Sequence, residues 1–220
     1  MTAIAVFVKT PGLSPVKTRL ALSVGTARAE RIYELCAYAV IELAERSAIG
    51  PVYWATAEDA AAARRRWSSR PLLEQGGGEL GERMHRVLAE LVERHGSGML
   101  LGADAPQIEP AVLRRAAGWL KDEAAASVLG PAADGGFWTF GANHVPPLDR
   151  WERVAYSRPD TLKAFRESIG DDPAWLELPM LTDIDTEADI ERVLKELSAT
   201  PRPSPRQFEL MELLNEAKPA

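Results

Sequence analysis

The sequence predicts an α/β fold in which a mostly parallel sheet carries helices on both faces. First, residues 4–8 form a continuous apolar run rich in β-branched and aromatic side chains, which is typical of a strand buried on both faces. Second, apolar residues recur at helical spacing between about residues 26 and 46. Third, strand-like and helix-like segments keep alternating along the chain, as in parallel βα units.

The remaining elements are predicted from the same patterns. Further strands are expected at residues 51–56, 99–101, 124–129 and 137–140. Further helices are expected at residues 58–67, 79–95, 110–121, 159–169 and 187–197, with Pro110 suited to a first helical turn. We therefore expect one domain over residues 1–198. Residues 199–220 are expected to be an appendage, either a dimer arm or a packing arm. Its Pro-rich linker is expected to be extended and not to pack, and residues 207–217 to form a short amphipathic helix.

Composition excludes several classes of protein. A net charge of −6 argues against non-specific nucleic-acid binding, and no apolar run approaches the roughly 20 residues of a membrane span. The N-terminal residues have no signal-peptide pattern, so we expect a cytoplasmic protein. The single cysteine, Cys36, lies in a helical pattern and is expected to be a buried small residue. The three histidines show no metal-ligand spacing: they are His85, His95 and His144.

Two acidic segments follow apolar stretches. Asp104, within residues 102–106, follows the strand at 99–101, where open α/β sheets bind ligands. Asp183 and Asp185 follow the apolar stretch at 175–178. Separated carboxylates of this kind can converge on one divalent cation, and hard oxygen ligands favour Mg²⁺ or Mn²⁺ over zinc.

Three loops are candidates for ligand binding. Residues 9–20 contain Lys9, Lys17 and Arg19, and this loop is either a polyphosphate cradle or a solvated basic loop. Residues 76–84 form a Gly-rich segment that opens a helix, either as a connector or as a place where backbone approaches a ligand. Residues 130–138 place Asp134, two glycines and two aromatic residues together, either as a hairpin turn or as a binding loop.

The order of these motifs resembles a known family. The segments VFVKTPGLSPVKTRL, GGGELGERM, LLGADAP, GPAADGGFW, YSRPDTL and LTDIDTEADI look like the DUF2064 family of candidate nucleotide-diphospho-sugar transferases, in the glycosyltransferase-A (GT-A) superfamily. The likeness spans residues 4–197. A more distant similarity, in the KTRL and DIDT segments, is to phospholactate guanylyltransferases and other small nucleotidyltransferases. The family resemblance implies a Rossmann-like three-layer α/β/α fold with a mixed, mostly parallel sheet.

The resemblance also implies roles for particular residues. It implies a nucleotide site at Lys9, Pro11, Lys17, Thr18, Arg19, Gly81 and Arg83. It implies an acceptor site at Asp134, Gly135, Gly136, Trp138 and Ser157, with Trp138 offering a flat aromatic face. Asp104, Asp183 and Asp185 are the implied ligands of Mg²⁺ or Mn²⁺, and Lys17, Asp104 and Asp134 the implied catalytic residues. This chain departs from the family pattern at Ser14, where Gly is expected, at Ala103 and Ala105, and at Tyr156.

The resulting functional prediction is a metal-dependent transferase with a nucleotide donor. In the leading version, a nucleotidyl group passes from a nucleoside triphosphate to a small phosphorylated or carboxylate acceptor. In the alternative, a glycosyl group passes from a nucleotide-diphospho-sugar. A non-catalytic nucleotide-binding or scaffold domain is the second alternative. The tail is a candidate dimer arm, which would make the protein a homodimer.

Overall fold

The computed structural model describes residues 1–171 and 173–216, and a seven-stranded sheet forms its centre. The strands are β1 (Thr2–Val8), β2 (Val52–Thr56), β3 (Leu72–Glu74), β4 (Ser97–Gly102), β5 (Ala126–Pro131), β6 (Phe137–Ala142) and β7 (Ala174–Glu177). Their spatial order is β3-β2-β1-β4-β6-β5-β7. Strand β6 runs antiparallel to β4 and β5, and the other described strand pairs are parallel. The sheet is therefore mixed and mostly parallel, as the sequence predicts.

Helices cover both faces of this sheet. They are α1 (Thr18–Val24), α2 (Thr26–Ser47), α3 (Ala60–Ala63), α4 (Leu80–His95), α5 (Pro110–Asp122), α6 (Leu148–Glu152), α7 (Thr161–Ile169), α8 (Glu187–Ser198) and α9 (Pro205–Asn215). The side chains of β1 alternate between two hydrophobic cores. Ile4 and Val6 pack with α2 and α5, whereas Ala3 and Ala5 pack with α4, α6 and α7. The chain is thus the predicted three-layer α/β/α structure.

The predicted elements are present, with differences at the short ones. The helix expected at 58–67 covers only Ala60–Ala63, where the Asp59 side chain accepts hydrogen bonds from the backbone N–H groups of Ala61 and Ala62. Strands β3 and β7 and helices α1 and α6 were not predicted. They contain three, four, seven and five residues respectively, too few for a hydrophobic period to emerge.

The C-terminal tail packs on the domain, and so does its Pro-rich linker, which was expected not to pack. Leu210 and Leu214 of α9 are buried in a third core formed with α1, α2 and α8. The linker is also fixed, because the buried Ser204 hydroxyl donates to Glu42 Oε2 at 2.9 Å. The predicted helix end at residue 217 lies outside the described residues. The division of the chain at residue 198 stays a prediction.

Within the described residues, no helix combines the length and the apolar character required to cross a membrane.

Candidate functional site

A cleft with two adjoining lobes opens at the carboxyl ends of β1 and β4. The first lobe encloses about 390 Å³ and contacts the loop after β1, and the second encloses about 280 Å³ and contacts the loops around β6. Five residues line both lobes: Phe7, Leu80, Gly102, Asp104 and Asp185. This edge of an open α/β sheet is where ligands bind in such folds.

Lys17 joins the two acidic segments at the boundary of the lobes. Its Nζ lies 2.9 Å from Asp104 Oδ2 and 2.8 Å from Asp185 Oδ1, and only 4% of its side chain is exposed. Lys17 precedes α1 and has a left-handed backbone, with φ of 46°. Arg19 forms a second ion pair with Asp185 at 2.5 Å. The structure thus brings together residues that are 168 positions apart in the chain.

Burial and charge act against each other in this cluster. Burial lowers the pKa of Lys17, but the adjacent Asp104 and Asp185 raise it more, so the net shift is upward and the ammonium stays charged. Burial raises the pKa of Asp185, yet Lys17 and Arg19 outweigh it, and the net shift is downward. Burial, reinforced by the charge of Asp104, raises the pKa of Asp183 to about 8. The cluster therefore contains one carboxyl group that still lacks a compensating cation.

The acidic residues are suited to bind a metal ion for which a bound phosphate supplies further ligands. Asp104 Oδ1 is buried and has no hydrogen-bond partner, an arrangement that is costly unless a cation compensates it. Among residues 1–171 and 173–216, no three His, Cys, Asp or Glu side chains are grouped to hold a metal. Mg²⁺ usually takes only one or two carboxylates, together with substrate phosphates and water. The donor set therefore suits a cation that arrives with a nucleotide.

The loop after β1 is anchored to the domain. Glu58 accepts hydrogen bonds from the Thr10 backbone N–H at 3.0 Å and from its hydroxyl at 2.7 Å, and the Trp67 indole donates to the same hydroxyl at 3.1 Å. The Lys9 N–H donates to the Tyr33 hydroxyl at 2.8 Å. Burial raises the pKa of Glu58, but hydrogen bonds from Ser14 and Thr10 outweigh it and the net shift is downward. These contacts hold the loop in one conformation over the first lobe.

Most of the predicted nucleotide residues line the first lobe. Lys9, Lys17, Thr18, Arg19 and Arg83 contribute to its wall. Two of the predicted residues do not, and each has a different environment.

Pro11 faces a separate hollow beside Arg65 and Arg66. Gly81 packs against α6 instead: a Cβ atom there would lie 2.8 Å from both the Trp151 carbonyl oxygen and the Tyr156 ring. Gly81 therefore allows close packing on α6. Neither Pro11 nor Gly81 lines the first lobe, and their contact with a nucleotide stays a prediction.

The predicted acceptor residues surround the second lobe with two exceptions. Asp134, Gly136 and Ser157 line it, and the Gly136 N–H donates to Asp134 Oδ1 at 2.8 Å. Gly135 is not in the wall; its φ is +90°, and a Cβ atom there would lie 2.0 Å from the Pro159 carbonyl oxygen. Gly135 therefore permits the turn, and its contact with an acceptor stays a prediction.

Trp138 lines the second lobe but does not offer the expected stacking face. Only 2% of the residue is exposed. Its indole N–H donates to the Pro179 carbonyl at 3.0 Å, and its ring lies against Gly130 so closely that a Cβ atom there would clash at 2.3 Å. The indole is part of the core beneath the lobe. Phe137 and Tyr156, which are only partly buried, provide aromatic surface in its place.

Sequence reasoning missed several residues of the cleft. Tyr33 and Gln75 line the first lobe, and Met84 and Arg158 line the second. Tyr33 and Met84 lie on helices whose apolar period predicts only core packing. Gln75 directly follows the unpredicted strand β3, and its side chain donates to the Ala55 carbonyl at 2.9 Å. Arg158 lies in the segment YSRPDTL, whose presence among the family-like motifs was the available signal.

A buried amide connects the two acidic segments. Gln107 Nε2 donates to the Thr182 carbonyl at 2.7 Å and to Glu196 Oε2 at 2.8 Å. Glu196 also accepts from the Thr182 hydroxyl at 2.9 Å. On the other side, Gln207 of the tail donates to the Pro106 carbonyl at 2.8 Å. The loop of Asp104 and the loop of Asp183 are therefore fixed to each other and to the tail.

Comparison with known proteins identifies the family. The family described as "Uncharacterized protein conserved in bacteria (DUF2064)" matches residues 40–158, just over half of the chain, and the protein belongs to it. No curated protein matches the sequence.

Solved structures share the fold. A candidate nucleotide-diphospho-sugar transferase from Desulfovibrio desulfuricans G20 is similar with a TM-score of 0.83 and 23% identity, covering 97% of this chain and 96% of that one. Rv0371c from Mycobacterium tuberculosis H37Rv, solved with manganese, is similar with a TM-score of 0.54 and 18% identity, covering 88% of this chain and 97% of that one. A CMP:2-keto-3-deoxy-manno-octonic acid synthetase complexed with CTP is similar with a TM-score of 0.52 and 14% identity, covering 87% of this chain and 96% of that one. The fold is thus of the nucleotidyltransferase and GT-A type.

Proposed function

We propose that this protein is a transferase with a nucleotide donor, and that it transfers a nucleotidyl group from a nucleoside triphosphate to a small acceptor bearing a phosphate or carboxylate. The observation that carries the proposal is the position of Lys17 between Asp104 and Asp185, at the boundary of two lobes. A two-substrate transfer needs such an arrangement, because the donor and the acceptor must meet at one charged centre.

The first lobe suits the donor phosphates. Lys9, Lys17, Arg19 and Arg83 bring four basic side chains to its wall. Lys acts as a point charge and Arg as a two-pronged donor to phosphate oxygens. The anchored loop after β1 presents Lys9 and Lys17 without a large ordering cost, since Glu58 and Tyr33 already hold its backbone, and Arg83 comes from α4.

The reaction would be an in-line displacement at the α-phosphorus. An acceptor oxygen forms a bond to that phosphorus, the bond to the bridging oxygen breaks, and pyrophosphate leaves with the electron pair. An ionised phosphate or carboxylate acceptor has no proton to lose, so no general base is needed. Lys17 and Arg19 would hold the departing phosphates.

Asp104 and Asp185, with Asp183 beside them, would hold Mg²⁺ or Mn²⁺. When bound, the cation would neutralise phosphate charge as it develops. The buried and unpartnered Asp104 Oδ1 supports this assignment, and a manganese complex is known for the fold neighbour Rv0371c.

Glycosyl transfer from a nucleotide-diphospho-sugar is the second candidate. The observation that favours it is the TM-score of 0.83 to the candidate nucleotide-diphospho-sugar transferase from Desulfovibrio desulfuricans G20. In this version the nucleoside diphosphate leaves, and the second lobe holds the sugar. The two versions share the donor phosphate site and differ in the bond that breaks.

The test is calorimetric titration of nucleoside triphosphates and nucleotide sugars, with Mg²⁺, into the full chain. We expect binding of one donor class, and a loss of about tenfold or more in Lys17→Ala, since hydrogen bonds to charged groups contribute roughly 1.5–3 kcal/mol. Lys163→Ala is the matched control, because Lys163 is exposed on α7 and pairs only loosely with Glu167 at 3.8 Å. Equal affinity in the Lys17 and Lys163 variants would contradict the proposal. Release of pyrophosphate or of nucleoside diphosphate on turnover distinguishes the two versions.

A further inference from the structure

The second lobe has an apolar wall that the proposed chemistry does not require. Side chains from four separate segments form it: Phe7 on β1, Leu80 and Met84 on α4, Leu100 on β4 and Phe137 on β6. A molecule covered with hydroxyl groups would place many of them against these carbons without partners, which is costly. The wall therefore favours an acceptor whose body is apolar.

The charged side chains of the second lobe are mostly acidic. Asp104 and Asp185 also line the first lobe, and Asp134 and Asp183 complete the acidic groups. Among the described residues that line this lobe, Arg158 is the only basic one, and it does not line the first lobe. Within the described part of this lobe, an anionic group on the acceptor therefore has one basic side chain to pair with, Arg158.

Arg158 is available for such a group. Its guanidinium pairs with Asp160 at 3.3 Å, and both side chains are about two-thirds exposed, at 63% and 66%. Exposed pairs of this kind contribute only about 0–1 kcal/mol, so a bound anion displaces Asp160 at little cost. The Arg158 backbone is fixed by a hydrogen bond from its N–H to the Thr161 hydroxyl at 3.0 Å.

The size of the lobe limits the ligand. Its volume of about 280 Å³ is near the lower limit of roughly 300 Å³ for small-molecule sites. The enclosed space therefore suits a compact ligand.

We propose that the acceptor is a compact molecule in which an apolar body carries an anionic group, and that Arg158 binds this group. The inference rests on the proposed function and specifies its acceptor. Carboxylate and phosphate share the relevant chemistry, since each offers two oxygens to a guanidinium. Arg158 is then a specificity-determining residue of the second lobe, with no role in holding the donor.

The test measures binding of three probes that share a phenyl ring: phenyl phosphate, benzoate and benzyl alcohol. Each is titrated into the full chain, already saturated with the donor nucleotide that binds best, and dissociation constants are obtained by calorimetry. We expect one or both anionic probes to bind at least tenfold more tightly than benzyl alcohol. We expect Arg158→Gln to abolish that difference while leaving donor affinity unchanged. Preference for phenyl phosphate over benzoate, or the reverse, identifies the anionic group.

Arg153→Gln is the matched control. Arg153 also pairs with a nearby carboxylate, Asp149, and is 69% exposed, but it does not line the lobe. It should keep the full preference for anions. Equal binding of all three probes to the wild type, or an undiminished preference in Arg158→Gln, would overturn the inference. Failure of the proposed function is a separate result, because it would show as absence of nucleotide binding in the wild type.

Discussion

Replacing Gln107 with leucine tests whether the two acidic loops depend on one buried amide. The substitution preserves much of the side-chain volume and removes donors to the Thr182 carbonyl and to Glu196, at 2.7 and 2.8 Å. Leaving the buried Thr182 carbonyl without this donor costs roughly 1–3 kcal/mol, whereas Glu196 is only partly buried and keeps the Thr182 hydroxyl as a donor. We therefore predict about 1–3 kcal/mol of destabilisation, which for a chain of this length lowers Tm by roughly 2–12 °C.

The assay is thermal unfolding followed by calorimetry, together with nucleotide titration of the folded variant. Nucleotide affinity should also fall, because the loops of Asp104 and Asp183 lose their common anchor. Asn215→Ala is the control: that amide also donates to a backbone carbonyl, that of Met211 at 2.9 Å, but on an exposed part of α9. A Tm for Gln107→Leu that matches the Asn215 variant would refute the reasoning.

Two further predictions concern the loop of residues 130–138 and the pH dependence of stability. Gly135→Ala should lower the free energy of unfolding, measured by denaturant titration, by about 3 kcal/mol or more, because φ is +90° and the new Cβ would meet the Pro159 carbonyl at 2.0 Å. Gly77→Ala is the control: it has open space around it and should have little effect in the same titration. Stability of the metal-free protein should fall as pH rises from about 5 to 8, since Asp183 keeps its proton in the folded state up to a pKa of about 8, whereas the unfolded chain loses it near the ordinary value of 3.8. Calorimetry in the presence of a chelator should show this decrease of stability with pH in the wild type and not in Asp183→Asn. An identical decrease in both proteins would contradict the raised pKa of Asp183.

The long elements were predictable because their hydrophobic patterns are strong. Strand β1 and helices α2, α4 and α5 occur within a few residues of their predicted bounds. Helix α1 was not predicted, since it begins after Lys17 in a left-handed conformation and has no side-chain cap to mark its start. The packing of the linker before α9 was missed for a different reason. A Pro-rich segment is typical of an extended connection, but buried contacts of Ser204 and Gln207 fix this one to the domain.

The position of some cleft residues could be predicted from where the strands end. Asp104 was placed correctly because residues after parallel strands meet at one sheet edge. The ion pairs of Lys17 and the bridging role of Gln107 could not be predicted, since both depend on side chains distant in sequence. The sequence also cannot show which residue of a Gly-rich loop faces the ligand. That is why Gly81 and Gly135 were expected at the site, although they serve packing and turn geometry.

The most direct test of the central claim is nucleotide titration of Asp104→Asn in the presence and absence of Mg²⁺. The change is nearly isosteric and removes one of the two carboxylates that contact Lys17. We predict that the wild type binds its donor nucleotide much more tightly with Mg²⁺ than without. We predict that Asp104→Asn stays folded, with a Tm lowered by the loss of the Asp104–Lys17 ion pair, and loses most of this metal-dependent gain. An undiminished Mg²⁺-dependent affinity in a folded Asp104→Asn protein would contradict the account.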